Sequence, residues 1–358
     1  MYIDSLALQQ FRNYESAEIS FSHGINILYG DNAQGKTNIL EAIYMLATTK
    51  SHRGNKDREM IGFSYEESHI RADIQKHDIS HRIDMHLRKN KNKGVAVDLV
   101  PIRRSAELLG LVNIVLFSPE DLTIIKESPA ERRRFIDMEL CQLNRIYFSD
   151  LSNYNKVLNQ RNNLLKQISI HHMDMDILSV WDKQLVDYGK RIIKERKNYI
   201  GRINEIIFDI HKKLSAGKET LTLVYERSVE EDRFEEELSA KTDTDLRYQS
   251  TQIGPHRDDI SFMVGSMDVK KYGSQGQQRT VALSLKLAEI ELVKQTIHDN
   301  PILLLDDVMS ELDSTRRDAL LASISDIQTI ITCTGYDDFI KERLSIDKIY
   351  KVVSGQLM

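Results

Sequence analysis

The hydrophobic pattern changes period along the chain. Ala17, Ile19 and Phe21 recur at period two, and His23-Gly24 then signals a turn. Ile25 to Tyr29 is a short apolar run, as in a strand buried on both faces. Ile70, Ala72 and Ile74 alternate again, as do Ile83, Met85 and Leu87. The basic, turn-prone stretch from Arg88 to Gly94 predicts a hairpin tip before Val95. Val112 to Phe117 is another apolar run, closed by Ser118-Pro119.

After Pro129 the steps become three, four and seven, through Leu143, Tyr147, Leu151, Tyr154, Leu158, Leu165 and Ile168. The polar stretch His171-His172-Met173-Asp174 interrupts them. A second series runs through Leu178, Trp181, Leu185, Tyr188, Ile192, Ile203, Ile207, Ile210 and Leu214. This predicts two antiparallel helices of about 35 to 40 residues, roughly 55 Å each, joined at a loop tip near His171. Leu221, Leu223 and Tyr225 resume strand alternation, the acidic stretch 229–248 predicts helix, and the last hundred or so residues mix both. The expected layout is an α/β unit over 1–125, a helical arm over 126–245, and a return of the α/β unit over 246–358.

A length of 358 residues suits two domains. With 41% hydrophobic and 29% charged residues, 5 Pro and 16 Gly, the chain is not collagen-like, disulfide-built or wholly disordered. Cys141 and Cys333, the only cysteines, read as core residues in a reducing compartment. No apolar run is long enough to span a membrane, and the N-terminus lacks a signal-peptide pattern, so a soluble cytoplasmic protein is expected. The net charge of -5 excludes binding of nucleic acid through bulk charge. Positions 131 to 214, however, hold 16 Lys or Arg against 11 Asp or Glu. An arm more basic than the rest fits backbone contacts along duplex DNA, with the Arg88–Lys93 tip and Arg103-Arg104 as further candidates; a solvated helix face is the plain alternative.

Gly30-Asp31-Asn32-Ala33-Gln34-Gly35-Lys36-Thr37 fits the phosphate-loop pattern G-x-x-x-x-G-K-[ST]. Its glycines let backbone N–H groups turn onto a phosphate, Lys36 neutralises the outer phosphates, and Thr37 offers a hydroxyl to Mg²⁺. Ile39, Leu40, Ile43 and Leu46 mark the helix behind the loop, whose positive end adds to the site. Pro301 to Leu305 reads as a buried parallel strand ending in Asp306-Asp307. Asp306 is expected to complete the Mg²⁺ shell opposite Thr37, and Asp307 to orient or deprotonate water. Lys36 and Asp307 are thus the expected catalytic pair, with ATP and Mg²⁺ bound. Ser274-Gln275-Gly276-Gln277-Gln278-Arg279 precedes a helical stripe from Val281 to Leu292. Ser274 and Gly276 there make a second anion site, suited to a nucleotide held by another copy; an ordinary N-capped helix is the alternative.

Together the three segments resemble the ABC-type ATPase superfamily, with SMC-like heads nearest. The long insertion between Lys36 and Asp306 argues against the ATPase subunit of a membrane transporter. More narrowly, the chain resembles the RecF family. The matching strings are Phe11-Arg12-Asn13-Tyr14, the phosphate loop, Phe117 to Leu122, Arg132-Arg133-Arg134-Phe135, Gly254-Pro255-His256-Arg257-Asp258-Asp259, Ser274 to Arg279, and Leu304 to Asp313. Gly273 stands where the family usually has alanine. The string Thr332-Cys333-Thr334-Gly335-Tyr336 departs from the family's threonine-rich form and is given no role. The resemblance implies a weak, DNA-stimulated ATPase of recombinational repair, replication and the SOS response. It implies an ATP-dependent homodimer that binds duplex DNA and gap junctions and helps RecO and RecR load RecA. It also implies that Ser274, Gly276 and Gln277 contact a partner copy's nucleotide. Arg12 and Asn13 are open to two readings, nucleotide contact or a strand-to-turn role. Glu120 falls at a loop sensing metal and water, and His256 and Arg257 at a brace between head and arm. The rival within the class is a structural DNA-bridging SMC-like ATPase with no repair role.

Overall fold

The computed structural model describes residues 1–54, 56–103, 107–171, 176–310, 312–335 and 345–358. In chain order, β1 (Tyr2–Phe11), β2 (Tyr14–Ser20) and β3 (Ile25–Tyr29) lead into α1 (Lys36–Thr48). β4 (Glu67–Lys76), β5 (Ile79–Arg88), β6 (Gly94–Val97), β7 (Val100–Pro101) and β8 (Ile114–Phe117) follow. The helical section holds α2 (Leu122–Lys126), α3 (Pro129–Leu143), α4 (Arg145–His171) and α5 (Asp176–Leu214). Then come β9 (Leu221–Glu226), α6 (Phe234–Ala240), α7 (Thr242–Tyr248), β10 (Asp259–Val264), β11 (Met267–Asp268), α8 (Val269–Tyr272) and α9 (Gln275–Ile297). The chain ends with β12 (Ile302–Asp306), α10 (Ser314–Ser323), β13 (Thr329–Cys333), β14 (Ile346–Val353) and β15 (Gln356–Leu357).

Two compact units result, one of residues 1–121 and 283–358, the other of 122–282. The first carries two six-stranded sheets. One is antiparallel, in the order β2-β1-β4-β5-β6-β7, and contains the expected Arg88–Lys93 hairpin tip. The other runs β15-β14-β3-β13-β12-β8, with parallel pairing from β14 to β8. Its inner strands β3, β12 and β13 are mostly apolar and almost wholly buried, as in a sheet covered on both faces. Buried Gln328 ties the sheets together, accepting from the Ile3 N–H and donating to the carbonyls of Ile3 and Ser22.

The second unit departs from the expected layout in two ways. Its far boundary falls at 282/283 rather than 245/246, because β9 pairs with β10 and β10 with β11 into a separate three-stranded sheet. The arm is also not two equal helices: its first limb breaks at Asn144, whose Oδ1 accepts from the N–H groups of Ile146 and Tyr147. Apolar spacing continues unchanged across that cap. The limbs α4 and α5 are antiparallel, as successive pairs Asn144–Glu195, Asp150–Arg191 and Arg161–Asp182 show. His172 at the expected tip lies outside the described residues, as does Arg104.

Candidate nucleotide site and signature helix

In the first unit β3 delivers the chain into the phosphate loop. Gly30 sits at φ 148, and a Cβ there would lie 2.4 Å from the Val352 carbonyl oxygen. Gly35, at φ 116, precedes α1; a Cβ on it would come within 2.7 Å of Asn13 Nδ2. No side chain caps α1, so its first N–H groups remain for an anion. Lys36 is buried, and its Nζ donates to the carbonyls of Gly30 (2.6 Å) and Asp31 (2.7 Å). The loop is held from two sides. The Gln34 carbonyl accepts from Asn13 Nδ2 (2.8 Å) and from the Gly355 N–H (3.0 Å), and Gln34 Oε1 accepts from the Ser354 N–H (2.6 Å). This strap from the β14–β15 turn had no signal in the sequence.

β13 lies between β3 and β12, and so sets the phosphate loop beside the carboxylates. Asp306 Oδ1 accepts from Thr37 Oγ1 at 2.9 Å and from Thr332 Oγ1 at 2.7 Å. Thr332, given no role from sequence, is thus part of the site; it stands opposite Asp306 in the β12–β13 register. Its hydroxyl also accepts the Asp307 N–H at 3.0 Å. Asp307 is left-handed at φ 55, a conformation aspartate tolerates better than most residues, and so turns the chain directly after the strand. A threonine hydroxyl and a carboxylate brought together are hard oxygen donors, the set Mg²⁺ prefers, so the residues fit that ion.

Arg12 and Asn13 separate in the structure. Asn13 braces the loop, accepting from Asn38 Nδ2 besides donating to Gln34. Arg12 grips buried Glu41 of α1 with two bonds of 2.8 Å and donates to the Glu59 carbonyl. Burial pushes the Glu41 pKa upward, but Arg12 and Ser51 outweigh it and hold the carboxyl below its ordinary value. Neighbouring His52 is pushed down to about 4, chiefly by burial, and is neutral. Glu120 is exposed, whereas burial pushes Asp121 up to about 6 against the opposing charge of Lys286. Lys286 itself pairs with buried Glu289 at 2.6 Å.

In the second unit Ser274 and Gly276 are exposed at the start of α9. Ser274 and Gln277 form a reciprocal capping box: Ser274 Oγ accepts the Gln277 N–H (3.2 Å), and Gln277 Oε1 accepts the Ser274 N–H (2.9 Å). The string 254–259 is a hub within this unit. Asp259 takes both arms of Arg132, Asp258 and the Pro255 carbonyl meet Arg196, and His256 pairs with Tyr154. The arm's basic excess shrinks accordingly. Buried Arg132, Arg161 and Arg196 are matched by Asp259, Asp245 and Asp258, all outside 131–214. Lys156, Lys166, Lys183, Lys194 and Lys197 remain exposed on the arm.

The family model of the RecF/RecN/SMC N-terminal domain matches residues 2–356. The DNA replication and repair protein RecF of Lachnoclostridium phytofermentans is 60% identical over 99% of both chains. The chain belongs to the RecF family. RecF of Agathobacter rectalis is 58% identical over the whole of this chain and 99% of its own. A solved structure of the recombination mediator RecF with ATP, from the RecFOR pathway, superposes with a TM-score of 0.94 at 36% identity, covering 100% of this chain and 97% of that one. An Smc head bound to the C-winged helix domain of ScpA aligns at TM-score 0.58 and 19% identity over 100% and 96% of the two chains, and so shares the fold. RecF relatives and the SMC head together establish the ABC-type ATPase head expected from sequence.

Proposed function

We propose that this RecF-family chain is an ATP-gated DNA-binding protein of recombinational repair and replication. Two copies sandwich two ATP molecules, each held by the phosphate loop of one copy and by Ser274, Gly276 and Gln277 of the other. The observation that carries this reading is a pairing of opposites. Lys36, Thr37 and Asp306 are gathered and pre-bonded in one unit, while Ser274 and Gly276 stand exposed on the other with their helix cap already made. When bound, Mg²⁺ supplies charge neutralisation of the phosphates. Thr37 and Asp306 hold it, Lys36 exchanges the carbonyls of Gly30 and Asp31 for phosphate oxygens, and Asp307 orients the attacking water. Hydrolysis is slow, is stimulated by DNA, and opens the dimer. Exposed arm lysines track duplex phosphates near gap junctions, and RecO and RecR act with the dimer to load RecA. RecF structures from the RecFOR pathway favour this reading over a purely structural bridge.

Asp307→Asn tests the chemistry. It removes the group that handles water while leaving Lys36, Thr37 and Asp306 in place. Turnover should drop by a factor on the order of 10² to 10⁴, and the ATP-bound dimer should persist in size-exclusion runs that separate the native chain into monomers. Normal turnover would reject the role given to Asp307.

A further inference from the structure

Glu219 lies in the turn between α5 and β9 and belongs to none of the motifs above. Its Oε1 accepts from Gln277 Nε2 at 2.8 Å, while Oε2 lies 3.5 Å from Nε2 of fully buried His211 near the end of α5. We infer that Glu219 is a positioning residue for Ser274, fixing the signature cap from the foot of the long arm helix; the inference rests on the sandwich reading.

The argument begins with the amide of Gln277. That side chain has three rotatable bonds, and its oxygen and nitrogen can exchange places by a flip. A carboxylate can only accept, so Glu219 fixes the NH₂ group on its own side. The Gln277 oxygen must then face the Ser274 N–H, which is where the capping box needs it. The returning bond, from the Gln277 N–H to Ser274 Oγ, sets the hydroxyl that a partner's nucleotide would meet.

Glu219 is itself on a firm footing. Ser215 Oγ accepts the Glu219 N–H and donates to the Glu219 carbonyl, both at 3.2 Å, and the Ser215 N–H bonds to the His211 carbonyl at 2.9 Å. Just beyond, Asn204 of α5 makes two 2.8 Å bonds to the backbone of Leu223, locking strand to helix. A group preorganised in this way lowers the ordering cost of association.

The test uses the full-length chain at saturating Mg²⁺, with dimerisation followed by light scattering as ATP is titrated. Binding of ATP to the monomer is measured separately at low protein concentration. Glu219→Ala should raise the ATP needed for half-dimerisation about tenfold, the scale of one hydrogen bond to a charged group, with monomer binding unchanged. Glu219→Gln keeps an acceptor oxygen but loses the charge and adds a competing NH₂ donor, so it should shift the titration by about threefold, between the native chain and Glu219→Ala. Gln277→Ala combined with Glu219→Ala should lose no more than Gln277→Ala alone, since both act through one bond. An unaltered titration for Glu219→Ala, or equal shifts for the Ala and Gln variants, overturns the inference. Ser274→Arg serves as the separate control: if that variant dimerises normally, the sandwich reading itself is wrong.

Discussion

The two units bury charge for opposite purposes. In the second, Arg132, Arg161 and Arg196 are enclosed and bonded to aspartates on distant segments. Arg161 alone joins Asp182 of α5, Asp245 of α7 and Thr251, and so fixes how α4 meets its neighbours. In the first unit, buried Lys36 rests on two backbone carbonyls, and Asp306 accepts from the hydroxyls of Thr37 and Thr332. Arginine with its planar fork suits permanent, multi-bonded struts; a lysine on carbonyls can move to a phosphate without leaving a carboxylate stranded. The second unit spends its buried ions on register, whereas the first, beside structural pairs such as Lys286–Glu289, keeps Lys36 and Asp306 for a ligand.

That contrast can be broken most sharply at Lys36. Lys36→Ala should abolish ATP binding, yet shift the thermal midpoint by no more than about 2 °C, the effect of about 1.5 kcal/mol in a chain of this size. Calorimetry with and without nucleotide reads both, and a large loss of stability would show that Lys36 is a strut after all. Arg161→Ala is the converse. It leaves Asp245, which is fully buried, without its cation, and should cost about 3–5 kcal/mol in the second unit. Urea unfolding measures it, and nucleotide binding by the first unit should survive at low urea.

The smallest effect is shared. His52 in the first unit and His256 in the second are each pushed down to about 4, chiefly by burial. Both are neutral when folded, while the unfolded chain takes up a proton near pH 6.5. Each therefore leaves stability intact above pH 6.5 and removes it as pH falls from there through 4. Thermal midpoints across that window should fall less steeply in His52→Gln and in His256→Gln than in the native chain. Burial pushes Asp121 the other way, to about 6, so its ionisation costs stability as pH rises between 3.8 and 6.

What was legible in the sequence was what is contiguous. The phosphate loop needs its glycines, lysine and threonine in one run, because one turn of backbone makes the cradle. Asp306-Asp307 was legible because a buried parallel strand must be apolar and then stop. Thr332, the Ser354–Gly355 strap and Glu219 were not, since each reaches its site by topology across tens to hundreds of residues. Periodicity missed the cap at Asn144, because Leu143 and Tyr147 stay in phase on either side of it. The charge count of the arm misled for a related reason: a residue tally cannot tell Arg161, enclosed by aspartates, from an exposed Lys166.

The central claim is that nucleotide occupancy alone decides whether two of these molecules hold together, and sedimentation velocity measures that directly. At micromolar chain with ATP and Mg²⁺ in excess, the account predicts a boundary at the dimer's mass, which returns to monomer mass when ADP replaces ATP. A single monomer boundary under saturating ATP and Mg²⁺, even with duplex DNA present, contradicts it.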